Sequence, residues 1–416
     1  MGSIYICYFN TEEPLVHTQV LPYLRALAQD GIDMHLLTFE KRGAWRAGER
    51  ARRRDLKRRL AEDGIQWHAL KYHRRPSLLA TGADALLGTL FSIWLILRHQ
   101  LHIVHARAHV PGAMGLLLKM LLRRKLIFDL RGLMAEEYVD NGIWEEGSLP
   151  FRLVKAVERA LLNRADHIIV LTEELRSILL GGAHLPATAV EKISVIPCCS
   201  DLSLYELQNG RRKPSGRDEI TLVYLGSVGG RYMLGEMVEF FKVLQSKRSG
   251  ARFLIITRGA RADVERAFAS RGVDANRYEV VAAEPAEVPK LLGRGDLALS
   301  FFKPTFAVKA TSPTKIGEYL AAGLPVVSTS TGDTAAMFAA EPIGAIVNEF
   351  DATAYDKAAE QVIHLIDNVD TRAHCRDAAS RYFSLTGVGE PRYKAVYQSL
   401  SESNSCAKTR GIYPAN

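Results

Sequence analysis

Residues 311–323 read Thr-Ser-Pro-Thr-Lys-Ile-Gly-Glu-Tyr-Leu-Ala-Ala-Gly. The order predicts a helix of about ten residues with both ends defined. Ser312 is the expected N-cap, and Pro313 suits the first helical position, where its missing N–H is not needed. Gly323 suits the left-handed stop after the last turn. A helix N-terminus offers free N–H groups and the positive end of the peptide dipoles, which suits a phosphate. Thr314 adds a hydroxyl there and Lys315 a cation. Glu318 follows Thr314 by four residues and Lys315 by three, so the three share one face. A carboxylate one turn below a phosphate can accept hydrogen bonds from both hydroxyls of a ribose. A nucleoside diphosphate would lie along such a helix. An ordinary capped surface helix with a Glu–Lys pair is the competing reading.

The elements that would position this helix follow from the rest of the chain. Its 416 residues, at roughly 150 per domain, suggest two or three domains. Short β-rich runs are expected at 3–9, 33–39, 65–70, 102–106, 126–130, 167–171 and 193–196, with helical segments between them. Residues 18–30 are expected to form one such helix, with Val20, Leu24 and Leu27 on a common face and Gly31 as its stop. The rhythm stops at 203–219, a polar stretch read as a linker. It resumes at 220–225, 252–257, 278–282, 296–301, 325–328 and 343–347. Strands alternating with helices imply parallel βαβ units with right-handed crossovers. Two doubly wound halves place a ligand cleft at the carboxyl ends of their strands.

Charge is unevenly distributed. Lys plus Arg is 54 and Asp plus Glu is 46, a net +8. Residues 41–59 carry ten bases (among them Arg46) and two acids, which alone accounts for +8. That segment reads either as a solvated helix face or as a contact for anionic lipid. Without interleaved aromatics it argues against nucleic acid. Residues 85–97 and 113–125 are apolar but too short to span a bilayer. They fit helices buried against a sheet, or, with the basic segment, a contact lying on a membrane.

Other chemistries are disfavoured. The five cysteines form no C-x-x-C pair, so neither a disulfide framework nor a thiolate zinc site is expected. His102 and His105 fall on opposite faces of an expected strand, against a metal site built from His99, His102, His105 and His109. There is no D-x-D pair, no P-loop, no G-x-S-x-G elbow and no G-x-G-x-x-G fingerprint. No basic n-region opens the chain, so a cytoplasmic protein is expected, peripheral on the inner face of the cell membrane if the basic segment binds lipid.

The segment SPTKIGEYLAAGLPVVSTSTGD resembles the donor-binding segment of the retaining family 4 glycosyltransferases, which have the GT-B fold. PLVHTQVLPYLRALAQDGIDMHLLTFEK resembles the first loop, helix and second strand of that family. HIVHARAHVPGAMGLLLK and FDLRGLMAEEYVDNGIW resemble its acceptor-side segments, and VIPCCSDLSLY its entry to the linker. The likeness covers most of residues 4–400. It implies an α/β chain with two Rossmann-like domains facing each other across a cleft. The expected divisions are an N-terminal domain at 1–202, the linker at 203–219, and a nucleotide-sugar-binding domain at 220–380. A C-terminal helix at 381–402 would return to the N-domain, followed by a loose tail at 403–416.

By the resemblance, Glu318 binds the nucleotide ribose. Ser312, Thr314 and Lys315 hold the pyrophosphate, with Gly229, Gly230 and Lys309 nearby. Two departures stand out. A glutamate eight positions before Glu318 in relatives is Ala310 here. An Arg and a Lys in the first loop of the second domain are Ser227 and Tyr232 here. Departure of a nucleoside diphosphate without a metal requires other cations, so Arg231 is the expected substitute, with Lys303 or Lys309. Arg131 stands where relatives carry a His beside the transferring sugar, and Glu137 follows it; with Arg231 these are the expected catalytic residues. Arg107, Asp140 and His105 are the expected acceptor-side residues. No metal and no cofactor are implied beyond the nucleotide-diphosphate sugar itself. The implied partners are that donor and a glycan or lipid-linked acceptor. The alternatives are a GT-B sugar-nucleotide 2-epimerase and a non-catalytic membrane-binding relative.

Overall fold

The computed structural model of the chain describes residues 1–45, 47–73, 77–182, 185, 187–206, 219–259 and 261–409. Every strand expected from the alternation is present. β1 (Gly2–Cys7), β2 (Asp33–Glu40), β3 (Ile65–Lys71), β4 (Ile103–Arg107), β5 (Lys125–Asp129), β6 (His167–Val170) and β7 (Ile193–Val195) form one parallel sheet in the order β3-β2-β1-β4-β5-β6-β7. β8 (Thr221–Leu225), β9 (Arg252–Ile256), β10 (Tyr278–Val281), β11 (Leu297–Ser300), β12 (Val326–Ser328) and β13 (Gly344–Ile346) form a second, in the order β10-β9-β8-β11-β12-β13. Helices cover both faces, so central strands such as β1 and β4 are buried at every position. Each sheet reverses its strand order once, at β1/β4 and at β8/β11. These are the switch points where doubly wound sheets bind ligands.

The chain divides into two compact units. The first holds 1–139, 144–196 and the chain from Gly389 onward; the second holds 140–143 and 197–388. The crossings thus fall at 196 and 388 rather than at the expected 202 and 380. The cause is a parallel pairing between two distant segments. Ser200 N donates to the Phe383 carbonyl at 2.9 Å and Leu385 N to the Ser200 carbonyl at 3.0 Å. Most of the expected linker, 207–218, lies outside the described residues, as do Arg46 of the basic segment and the end of the expected tail from 410.

Three local readings need correction. The helix expected at 18–30 is two, Pro14–Gln19 and Leu21–Gln29, broken at Val20. Pro22 has no N–H for the carbonyl of residue 18. The tail expected to be loose from 403 continues the helix Glu390–Thr409, because neither Gly nor Pro occurs between Pro391 and Gly411. The apolar stretches form the helices Ser77–His99 and His109–Leu122, but they are only partly buried.

The basic segment folds as the helix Arg50–Glu62, tied to Leu21–Gln29 by an Arg25–Asp63 ion pair of 2.7 Å. Right-handed crossovers place these two helices on one face of the first sheet and Ser77–His99 and His109–Leu122 on the other. The basic and apolar segments therefore do not form one surface. The helix Glu390–Thr409 packs within the first unit: Tyr393 stacks on Tyr23 at 4.4 Å, and Lys394 pairs with Asp30 at 2.9 Å.

Candidate active site

In the second unit, the helix Thr314–Ala321 follows β11, and its chain leads on into β12, beside the switch point. It starts one residue later than the sequence suggests, with Pro313 at the cap position. The Ser312 hydroxyl does not cap it. Instead it accepts the Cys198 N–H at 3.2 Å, so Ser312 fixes the entering 197–202 segment. The other end is as expected. Gly323 has φ +76°, its N–H reaches the Leu320 carbonyl at 2.9 Å, and the Leu324 N–H reaches the Tyr319 carbonyl at 2.9 Å. The Tyr319 hydroxyl accepts the Leu225 N–H at 2.7 Å, locking the helix to the end of β8. Thr314 remains partly exposed at the first turn.

Lys315 does not project into solvent. It is 8% exposed, with its ammonium 4.4 Å from the ring centres of both Tyr224 and Tyr232 and 5.7 Å from that of Phe302. Its Nζ lies 3.4 Å from the Tyr224 hydroxyl. Gly226, which ends β8 at φ +135°, makes the approach possible: a Cβ there would stand 2.7 Å from Nζ. Burial pushes the ammonium pKa down to about 7, with the nearby Arg231 charge adding to the shift and Glu318 opposing it. Arg231 lies over the Phe302 ring at 5.4 Å, and its carbonyl accepts the Lys303 N–H at 2.9 Å. Gly229 and Gly230, at φ +84° and +61°, turn the loop that brings Arg231 back to this point. Lys309 lies on the 306–310 turn, 6.0 Å from the Phe306 ring. Ala310 is fully buried.

Glu318 sits one turn on from Lys315. Burial raises its carboxyl above the ordinary range, while a hydrogen bond from Tyr205 and the charge of Lys315 pull it back. The second unit thus brings together Lys315, Glu318, Arg231 and the glycine loop, but it turns Ser312 away. The residues missing from the sequence reading are Tyr224, Phe302 and Tyr205, and Tyr232 enters it only as a departure from the family pattern. One pointer existed: Tyr232 stands where relatives carry a cation.

In the first unit, Asp129 ends β5 with its carboxylate wholly buried. It accepts hydrogen bonds from Tyr393 at 3.2 Å and Tyr5 at 3.5 Å, and pairs with Arg107 at 3.4 Å and Arg131 at 3.5 Å. Burial alone would raise this carboxyl, but Arg131, His105 and Arg107 together hold it well below the carboxylate range. His105 and Arg107, expected at the acceptor, are 0% and 4% exposed. The His105 Nδ1 meets the Tyr397 hydroxyl at 3.0 Å, and burial lowers the ring's pKa. Both are covered side chains that support Asp129, so neither is open to an acceptor. Arg131 lies on the loop after β5, and Glu137 on the helix Met134–Asp140 that follows it. The Glu137 carboxylate lies over Gly132, where a Cβ would stand 2.5 Å from Oε1. Asp140 ends the helix Met134–Asp140 and opens the 140–143 segment that clusters with the second unit.

Known proteins bear directly on this arrangement. Residues 16–199 match the model of the glycosyl transferase 4-like domain, and residues 219–368 that of glycosyl transferases group 1. No curated protein sequence matches the chain. Among solved structures, the chain is similar to a sucrose-phosphate synthase from Thermosynechococcus elongatus at 14% identity and TM-score 0.71, over 97% of this chain and 99% of that one. It is similar to Anabaena HepE in complex with UDP and glucose at 15% identity and TM-score 0.64, over 97% and 100%. A putative UDP-N-acetylglucosamine 2-epimerase from Listeria monocytogenes shares the fold at 15% identity and TM-score 0.57, over 97% of each chain. With consecutive domain models spanning both units and two parallel, doubly wound sheets, the chain belongs to the GT-B glycosyltransferases that join a glycosyl transferase 4-like domain to a group 1 domain.

Proposed function

We propose that the protein moves a sugar from a nucleoside-diphosphate sugar to a glycan or lipid-linked acceptor, with retention at the anomeric carbon. The pathway class we propose is cell-surface polysaccharide or glycolipid synthesis at the inner face of the membrane. The observation that carries the donor assignment is the pairing of a caged ammonium, Lys315, with Glu318 one turn along the same helix. The diphosphate would meet Lys315, Arg231 and the first N–H groups of the helix, and the ribose hydroxyls would meet Glu318. HepE, whose structure holds UDP and glucose, supports this reading by its fold.

In the proposed reaction the bond from the anomeric carbon to the diphosphate oxygen breaks. The acceptor oxygen bonds that carbon on the same face, and the acceptor proton passes to the departing diphosphate oxygen. Lys315 and Arg231 would stabilise the charge that grows on the diphosphate without need of a metal. Arg131 and Glu137 would contact the sugar or the acceptor.

Calorimetric titration of UDP, GDP, ADP and CMP into wild type and Glu318→Ala, without added metal, tests the donor site. One nucleotide should bind, and about tenfold or more weakly in the mutant, because a hydrogen bond to a charged group contributes about 1.5–3 kcal/mol. Absence of binding by all four would defeat the donor assignment. Conversion of a sugar nucleotide with no acceptor present would favour the 2-epimerase reading.

A further inference from the structure

The helix Ser77–His99 has its polarity reversed. The large residues it shows to solvent are Leu79, Leu86, Leu87, Leu90, Trp94 and Leu97, each between 52% and 76% exposed. The only other exposed positions between Leu79 and Leu97 are Gly82 and Ala83. Its polar residues point inward: Asp84, Thr89 and Ser92 are 1%, 4% and 0% exposed. Asp84 is fully engaged, accepting from the Tyr8 hydroxyl at 2.8 Å and from the His73 N–H at 2.9 Å. A surface helix of a soluble protein normally does the opposite.

The neighbouring helix His109–Leu122 extends this face. The two pack closely enough that a Cβ on Gly88 would stand 2.4 Å from the Met114 methyl. Leu117, Met120 and Leu121 are 46%, 60% and 64% exposed. One helix leads into β4 and the other leads out of it, so both run against that strand and finish beside the amino ends of the strands. Arg98 and Arg123 are exposed at those ends, followed by Arg124 and Lys125. The carboxylate there, Asp166, is already held by Lys119 and Lys125.

A contiguous apolar surface of this kind marks an interaction site. Over about 27 Å of helix, at 1.5 Å per residue, none of its exposed positions carries a polar side chain, whereas protein interfaces carry about one hydrogen bond per 100–200 Å². Its cationic end complements anionic headgroups. Leu79–His99 is long and apolar enough to cross a membrane, but its inner face, with Leu95 and Ile96 fully buried, is committed to the first unit. We propose that the joint face of Ser77–His99 and His109–Leu122 docks the protein on an anionic lipid bilayer, with both helices lying in the headgroup region. The basic helix Arg50–Glu62, on the opposite face of the sheet, is not the docking element. The inference stands apart from the donor-site reading, and it places the enzyme where a lipid-linked acceptor would be.

The test is co-sedimentation of the full chain with sucrose-loaded vesicles. One set is equimolar phosphatidylglycerol and phosphatidylcholine, and the other is phosphatidylcholine alone. Wild type should partition onto the anionic vesicles, more weakly onto the neutral ones, and Trp94 emission should shift to the blue on binding. The triple substitution Leu86→Gln, Leu90→Gln, Leu121→Gln should lose roughly 30-fold or more in partitioning. Its unchanged melting temperature, and an unchanged titration with whichever of UDP, GDP, ADP and CMP wild type binds, would show that the fold and donor site are untouched. Arg54→Glu, Lys57→Glu, Arg58→Glu should change partitioning less than about threefold. Failure of wild type to bind either vesicle would overturn the proposal. So would unchanged binding by the Gln variant, or loss confined to the charge-reversal variant. A wild-type dimer in light scattering that the Gln variant dissociates, with no vesicle binding, would assign the face to a second copy instead.

Discussion

Replacing Lys315 with Met weakens binding of the preferred nucleoside diphosphate by roughly 10- to 100-fold, the loss of a charge-assisted contact of about 1.5–3 kcal/mol. It does so without unfolding the protein, because Met fits among Tyr224, Tyr232 and Phe302 with no charge to desolvate. The pH behaviour separates this role from a purely structural one. Burial lowers the Lys315 pKa to about 7, so in the empty site the ammonium is largely lost above that pH. A diphosphate favours the charged form. Wild-type affinity should therefore fall as pH rises above about 7, by up to about tenfold per unit. Second ionisation of a phosphate, near pH ~6, lies below this window. The Met variant should show a flat profile there. Stability carries the opposite sign. Between about 7 and the ordinary lysine value of 10.5, the unfolded chain holds a proton that the folded chain lacks, so wild-type stability rises with pH across that range. The Met variant should thus gain most in melting temperature at mildly acid pH. Binding within threefold of wild type, or a retained pH slope, would remove Lys315 from the diphosphate site.

What could be read from the sequence divides along a physical line. The strands were legible because buried parallel strands leave continuous apolar runs between turn signals. Gly323 was legible because a left-handed stop needs a glycine. Glu318 and Lys315 could be placed on one helix face by spacing alone. The depth of Lys315 could not, because it depends on Gly226 lacking a side chain and on two tyrosines and a phenylalanine arriving from other segments. The unit crossings were hidden for the same reason: the Ser200–Ser384 pairing joins segments far apart in sequence. The neighbours of Ser312 point to a cap, yet its hydroxyl serves Cys198. Composition marks residues 85–97 as apolar, but it does not show that Asp84, Thr89 and Ser92 take the inner face of the helix Ser77–His99.

The second large effect falls on Asp129. Asp129→Asn should lower the melting temperature of the first unit by roughly 6–20 °C, since removing one partner of a buried ion pair costs about 3–5 kcal/mol and a unit of this size loses about 2–4 °C per kcal/mol. The carboxylate is 0% exposed and Arg107 only 4%. The neutral amide would remove the counter-charge of the Arg107 guanidinium, whose other contacts are the neutral Tyr5 hydroxyl at 3.5 Å and Gln19 carbonyl at 3.4 Å. The folded carboxyl titrates below its ordinary range, so its contribution is full above the unfolded value of about 3.9 and is lost only as pH falls toward the folded value. The gap between wild type and variant should therefore be constant from neutral to alkaline pH and narrow in strong acid. The Tyr393 hydroxyl donates to the same carboxylate at 3.2 Å, so hydrogen exchange in the helix Glu390–Thr409 should accelerate in the variant. Arg131 shares the carboxylate through Nη1 at 3.5 Å, its other nitrogen reaching Gln19 Oε1 at 3.4 Å. One buried charge thus ties the seat of the C-terminal helix to the aim of the arginine proposed for the reacting sugar. A drop below about 3 °C would show that Tyr5 and Gln19 suffice for Arg107, and that Arg131 is oriented without Asp129.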